Sequence, residues 1–204
     1  MAKSTPKVDM HEKILKLSIP LFAETGYDGV SMRDVAVAVG LTPAALYYHF
    51  SNKEQLYVDT VAYAFREVTD VLKAAIEAAP TPLEQLESII RVSIKMLANN
   101  KPLVRLIQWV KLDSDRQHPK KLATAALNEL FSTVQKLVGK LGSGYNASRL
   151  LISIASMVVF PFEIENTCQY LSGYQSRNTD PAVLTKHVIQ LLRQSLSGME
   201  ADSQ

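Results

Sequence analysis

Two short helix signals in direct succession constrain the fold of this chain more than any other feature. Ser31 is a capping residue with Asp34 three positions later, and Gly40 ends the apolar pattern that follows. Thr42 and Pro43 repeat that start at once, as a cap followed by a proline at the first helical position. Two short helices joined by a glycine turn are typical of a helix-turn-helix, whose second helix enters a DNA major groove. A pair of connecting helices in another bundle fits the spacing equally well.

A longer helix is predicted on each side of this pair. The first spans residues 9–25 and contains Pro20, where the missing N–H predicts a bend. The fourth helix follows a capping box formed by Ser51 and Glu54 and continues to about Ala79. The two short helices lie between them, over residues 32–39 and 43–49.

One face of the third predicted helix packs against the rest of the domain, and another face is available to a partner. Leu46 and Phe50 are four residues apart and share a face, while Tyr47 and Tyr48 lie elsewhere around the helix. Exposed tyrosines donate to phosphate oxygens and press apolar edges onto thymine methyl groups. The alternative is that either ring covers the core of a small domain, since tyrosine is often partly buried.

A wider pattern surrounds these helices. Residues 26–36 read GYDGVSMRDVA, residues 39–42 read VGLT and residues 46–56 read LYYHFSNKEQL. At this spacing they closely resemble the DNA-binding domain of the TetR (tetracycline repressor) family, over residues 9–58. The resemblance implies that residues 42–48 are the recognition helix and that a divergent helical half for ligand binding follows.

The resemblance also implies a division of roles among nine residues. Those expected to face the DNA groove are Thr42, Pro43, Ala44, Tyr47 and Tyr48, and those expected to contact phosphates are Ser31, Arg33, His49 and Lys53. Lys53 places a cation beside the free backbone N–H groups of a helix start, and an anionic phosphate would interact favourably with both. The alternatives are a solvated lysine at position 53 and a neutral imidazole at the edge of the core at position 49.

Two features of the segment limit what the resemblance predicts about specificity. Pro43 and Ala44 stand where many relatives carry polar or basic side chains, so base readout relies on van der Waals contact and DNA shape. Residues 1–60 contain six cations and seven anions, a net charge of −1. We therefore expect affinity to depend on charge placement and on a dimer, with Lys3 and Lys7 as additional phosphate contacts.

The rest of the chain is predicted to be helical as well. Apolar spacing and breaks predict further helices at about residues 83–99, 102–113, 119–141, 146–171 and 181–197. The fold class is therefore all-α, with about nine helices. The expected organisation is an N-terminal three-helix helix-turn-helix domain over residues 1–58 and a C-terminal helical domain for ligand binding and dimerisation over residues 59–204.

The last two predicted helices carry more apolar surface than one small monomer easily covers. Two such helices from each subunit pack as a four-helix bundle, and the resemblance implies this dimer interface. The expected interface residues are Leu151, Ile154, Val158, Leu184, Val188, Leu191 and Leu192. The alternative is that these side chains close the core of the monomer.

A pocket for a small-molecule effector of unknown identity is implied by the family. The candidate lining residues are Met96, Gln108, Trp109, Phe131 and Phe160. They combine aromatic rings with one polar group on helices expected to surround a cavity. Apolar residues at helical spacing also fill ordinary cores, which is the alternative for each of them.

Composition excludes several other classes of protein. A net charge of +2 gives no bulk signal for nucleic acid, and a single cysteine, Cys168, forms no intrachain disulfide. No G-x-S-x-G, H-E-x-x-H, P-loop or dinucleotide-binding pattern occurs, so no enzyme, cofactor or metal is predicted. The apolar stretch over residues 150–162 is shorter than a membrane span and predicts a buried helix.

These observations predict a cytoplasmic, homodimeric transcriptional regulator. We expect a ligand-responsive repressor that binds a palindromic operator in double-stranded DNA and has no membrane partner. A helical small-molecule carrier or sensor without DNA readout is the alternative.

Overall fold

The computed structural model describes residues 9–112, 117–141, 146–175 and 179–201, and all regular structure in those ranges is helical. The N-terminal helices are α1 (Met10–Thr25), α2 (Met32–Val39), α3 (Pro43–His49) and α4 (Lys53–Glu77). The C-terminal helices are α5 (Pro82–Asn99), α6 (Lys101–Leu112), α7 (Gln117–Leu122), α8 (Asn128–Gly139), α9 (Ala147–Cys168) and α10 (Pro181–Ala201). The all-α prediction is confirmed. Lys3 and Lys7 lie outside the described residues.

The helix boundaries differ from the predicted ones mainly in the C-terminal half. A π-helical turn over Ala123–Leu127 divides the helix predicted at 119–141 into α7 and α8. In the described ranges this division accounts for a tenth α-helix where about nine were predicted. α1 is helical on both sides of Pro20.

The chain forms two compact units, and the first consists of two separate stretches of sequence. Unit 1 contains the chain up to Arg66 together with Arg105–Ala126. Leu106 and Leu122 from the second stretch belong to the same buried cluster as Phe22 and Leu46 from the first. The predicted division at residue 58 is contiguous in sequence, so it leaves residues 105–126 out of this unit.

Unit 2 contains Glu67–Val104 and the chain from Leu127 onward, and it is organised around α5. α5 packs against α8, α9 and α10. Its buried side chains Leu86, Ile90, Ile94 and Leu97 recur at spacings of three and four, which places them on one stripe. Burial of one such side chain stabilises the fold by about 1.5–3 kcal/mol.

Candidate DNA-binding surface

The start of α2 is closed by the capping box that the sequence predicts. The Ser31 hydroxyl accepts from the Asp34 N–H at 3.2 Å and donates to Asp34 Oδ2 at 2.6 Å. The Ser31 N–H donates to the same carboxylate at 2.9 Å. These bonds lower the pKa of Asp34, because they favour its charged form. Ser31 and Arg33 are both exposed at this helix start.

α3 is fixed in unit 1 by its cap and by two buried side chains. Thr42 accepts from the Ala45 N–H at 3.2 Å, and Pro43 occupies the first helical turn, as predicted. Leu46 and Phe50 are fully buried. The His11 ring stacks on Phe50 with centroids 4.4 Å apart, so α1 covers the end of α3.

The opposite face of α3 is open to solvent. Tyr47 is 53% exposed and Tyr48 is 88% exposed, and Thr42, Pro43 and Ala44 are exposed beside them. A ring as exposed as that of Tyr48 covers no core, so the structure excludes the packing alternative for this residue. All five side chains predicted to face a DNA groove are therefore accessible to a partner.

The start of α4 differs from the predicted capping box by one residue. Asn52 Oδ1 accepts from the Gln55 N–H at 2.8 Å, so Asn52 is the cap. The Gln55 side chain in turn accepts from the Ser51 N–H at 3.0 Å. Glu54, the predicted capping partner of Ser51, forms an ion pair with Lys121 at 2.5 Å instead. Gln55 thus replaces Glu54 as the side-chain acceptor for the Ser51 N–H.

The two remaining predicted phosphate contacts flank this start and are half-buried. Lys53 Nζ lies 4.2 Å from the centroid of the Tyr27 ring, a cation–π contact that limits where the ammonium group moves. The His49 ring meets that of Tyr48 edge to face at 5.5 Å. Both side chains remain partly accessible.

Sequence reasoning missed one contact that supports this surface. The Trp109 indole N–H donates to the Ala23 carbonyl at 3.2 Å, in the last turn of α1. A Cβ placed on Gly26, the residue that ends α1, would lie 2.7 Å from the Trp109 ring. Trp109 therefore packs within unit 1 and closes the end of α1. The close approach requires glycine, and that glycine was the sequence signal available.

The five predicted pocket residues are divided between the two units. Gln108 and Trp109 belong to unit 1, and Met96, Phe131 and Phe160 belong to unit 2. Phe160 is 52% exposed. None of the five lines the two described cavities, one at the start of α4 and one between α5 and α10. The pocket assignment remains a prediction.

The predicted dimer residues divide between core and surface. Those buried within the single chain are Ile154, Val158, Leu184, Val188 and Leu192, while Leu191 is 40% exposed and Leu151 is half-buried. A side chain covered by its own chain offers little surface to a partner. For the five buried residues the structure therefore supports the alternative of core packing.

α9 is an apolar helix that its own chain leaves largely uncovered. By length and composition alone this helix could cross a membrane. Only 11% of its most apolar 18-residue stretch is buried in the structure. The prediction that the apolar stretch over residues 150–162 forms a buried helix was wrong, because composition does not reveal how much of a helix neighbouring elements cover. Its exposed face carries Ile152, which is 60% exposed, Ser156 and Phe160 at successive four-residue intervals.

Comparison with known proteins addresses the helix-turn-helix directly. The model of the bacterial regulatory proteins of the tetR family matches residues 14–60. Residues 14–60 therefore match the N-terminal domain model of that family. The chain is also similar to the negative transcriptional regulator IcaR of the biofilm operon icaADBC from Staphylococcus epidermidis, with 41% identity over 63 residues. The match spans 31% of this chain and 34% of that regulator's length.

Solved structures share the fold over nearly the whole chain. FadR from Bacillus subtilis, in complex with stearoyl-CoA, superposes with a TM-score of 0.73 at 18% identity, over 88% of this chain and 96% of that one. AibR, in complex with isovaleryl coenzyme A and operator DNA, superposes with a TM-score of 0.68 at 17% identity, over 90% and 97%. The chain, including its C-terminal helices, thus has the fold of these proteins.

Proposed function

We propose that this TetR-family chain is a ligand-responsive transcriptional repressor that binds a palindromic operator as a homodimer. The observation that carries the proposal is the face of α3 with Tyr47 and Tyr48 in solvent, while Leu46 and Phe50 anchor the helix. A short helix held by one face and bare on the other is the element that docks in a major groove.

The contacts to DNA divide by chemistry. Tyr47 and Tyr48 carry hydroxyl donors and apolar ring edges toward the groove, with Thr42, Pro43 and Ala44 fitting by shape. Ser31, Arg33, His49 and Lys53 contact phosphates. Because the Ser31 hydroxyl donates to Asp34, Arg33 supplies the stronger phosphate contact at the start of α2.

A second copy of this chain covers α9. Ile152 and Phe160 on α9 and Leu191 on α10 are exposed apolar side chains that water contacts in the single chain. Helices from two copies bury such side chains as a four-helix bundle. The dimer places two α3 helices on half-sites about 34–36 Å apart.

The C-terminal half binds the effector. The structures of FadR and AibR contain acyl-CoA thioesters, and an acyl-CoA is the effector class that we propose. Effector binding weakens operator affinity by favouring a different separation of the recognition helices. The chain acts in the cytoplasm and has no catalytic role.

Selection of DNA from a random pool by the purified full chain tests this function. We expect an inverted repeat. Tyr48→Ala should weaken affinity for the selected duplex at least about tenfold, because it removes one contact from each of two half-sites. Fluorescence anisotropy with a labelled duplex measures the affinity.

Tyr170→Ala is the matched control, since Tyr170 is also highly exposed but belongs to unit 2. It should bind the duplex as the wild type does. Failure to select any DNA, combined with binding of a hydrophobic ligand, would favour the carrier alternative.

A further inference from the structure

A groove between α5 and α10 in unit 2 is lined mainly by positive charge. Its volume is about 710 Å³, within the usual range for small-molecule sites. The basic lining residues are Arg91, Lys95, Lys186 and Arg193. Among the described lining residues the only acidic one is Glu87, so the lining carries a net charge of +3.

The single carboxylate is already occupied. Glu87 is buried, and its two oxygens accept from Arg193 Nε at 2.6 Å and from Arg193 Nη2 at 2.9 Å. Such a two-point pair holds the guanidinium in a defined orientation. Glu84 adds a weaker attraction for Arg193. Glu87 is therefore not available to neutralise the other three cations.

Arg91, Lys95 and Lys186 form no ion pair in the described part of the chain. The acidic residues of α5 are Glu84 and Glu87, both near Arg193, and residues 88–99 and 181–199 contain no Asp or Glu. Arg91 and Lys95 are also four residues apart on α5, where like charges destabilise a helix by about 0.2–0.5 kcal/mol. A concave site with unneutralised cations concentrates anionic ligands.

The charge of the groove contrasts with that of its own unit. Unit 2 contains ten basic and eleven acidic residues by sequence, a net charge of −1. The lining at +3 means that the rest of the unit is at −4. A general surplus of lysine and arginine in unit 2 therefore does not explain the positive lining.

The remaining lining residues suit an organic ligand. Thr185, Gln190 and Gln194 provide hydrogen-bond donors, and Ala182 and Ile189 provide apolar contact. We infer that this groove binds an organic diphosphate, as a nucleotide or a nucleotide-linked cofactor, whose phosphates contact Arg91, Lys95 and Lys186. The inference rests on the proposed function in taking this ligand as the effector.

The spacing of the cations matches this ligand class. Arg91 and Lys95 lie one turn apart, about 6 Å along α5, which suits two adjacent phosphates. Lys186 and Ile189 lie on a different side of α10 from Leu191, the residue of this helix in the proposed dimer surface. Ligand binding and the proposed dimer therefore use separate faces of this helix.

Isothermal titration calorimetry on the full chain without DNA tests the site, with ADP, coenzyme A and inorganic pyrophosphate as probes. We expect ADP or coenzyme A to bind more tightly than pyrophosphate. Lys95→Ala/Lys186→Ala should weaken that binding at least about tenfold, because it removes two charge-assisted contacts. Lys136→Ala/Lys140→Ala removes two exposed lysines elsewhere in unit 2 and should leave binding unchanged.

Several results would overturn the inference. The first is no binding of any probe at millimolar concentration. The second is an equal loss of affinity in both double variants, and the third is equal affinity for pyrophosphate and the organic probes.

Nucleotide binding that leaves operator affinity unchanged would remove the effector role. Operator binding without nucleotide, measured separately, tests the proposed function, and Lys95→Ala/Lys186→Ala should keep it. Loss of operator binding in that variant would make the groove a DNA contact and overturn the inference.

Discussion

At the scale of single residues, Gly26 and Trp109 define a constraint on unit 1. Gly26 has φ +72° and ψ −172°, a backbone region that essentially only glycine adopts. The Trp109 ring lies where its Cβ would be, and the indole N–H bonds to α1. Backbone and side-chain packing thus both require glycine at this position.

Substitution of this glycine should be unusually costly. Gly26→Ala should lower the free energy of unfolding by about 3 kcal/mol or more, because backbone strain adds to the clash with Trp109. Gly40→Ala is the matched control, since Gly40 has φ +74° and open space where a Cβ would lie. It should cost about 1 kcal/mol.

Urea denaturation of the single variants and of Gly26→Ala/Trp109→Ala measures the two contributions. The alanine penalty at position 26 should be smaller when Trp109 is absent. Equal losses at positions 26 and 40 would contradict the close approach as the main cause.

At the scale of elements, helix starts and helix faces differ in how far the sequence specifies them. The caps at Ser31 and Thr42 lie where local residue order predicts them. α4 begins after Asn52, whose Oδ1 accepts from the Gln55 N–H, and Glu54 pairs with Lys121. Local residue order permits a helix start capped by either Ser51 or Asn52. With the observed cap at Asn52, Glu54 is paired with Lys121, which lies 67 residues away in sequence.

The uncovered face of α9 predicts an effect on assembly. Ile152→Glu should raise the dimer dissociation constant at least about 100-fold, because it buries an unpaired charge in the proposed interface. The variant should keep its helical circular dichroism, since Ile152 is mostly exposed in the single chain. Analytical ultracentrifugation measures the association.

Leu112→Glu provides the control, because Leu112 is an exposed leucine of unit 1. It should sediment as the wild type does. An Ile152→Glu variant that remains a dimer at low concentration would place the interface elsewhere.

At the scale of the whole molecule, the two units carry opposite net charges. Residues 1–60 have a net charge of −1, but unit 1 also includes Arg66 and residues 105–126. The added segment contains five cations and two anions, so unit 1 reaches +3 while unit 2 is at −1. The unit proposed to bind DNA is therefore the positive one, and the surplus comes from residues distant in sequence.

The salt dependence of operator binding tests a single phosphate contact in this setting. Lys53→Ala should reduce the slope of log affinity against log salt by about 2, which corresponds to one phosphate contact in each half-site. Lys136→Ala, in unit 2, should leave the slope unchanged. A slope unaffected by Lys53→Ala would confine that lysine to its contact with Tyr27.

Residue order alone specifies the features that depend on neighbours within about four residues. These are the helical class, the caps at Ser31 and Thr42, and the two faces of α3, since residue spacing alone places Leu46 and Tyr48 on different sides. Their energies arise within one or two turns, so they can be predicted without knowledge of the fold.

Which surfaces are covered depends instead on tertiary packing. The position of Trp109 against α1 and the pairing of Glu54 with Lys121 and of Glu87 with Arg193 involve partners far apart in sequence. The face of α9 is bare because no distant part of the described chain covers it. An apolar or charged stripe shows that a helix needs a partner. Its residue spacing is the same whichever element covers it, so the spacing does not identify that element. For that reason five predicted dimer residues lie in the core of unit 2, and the charge of unit 1 depends on a segment that the linear division left out.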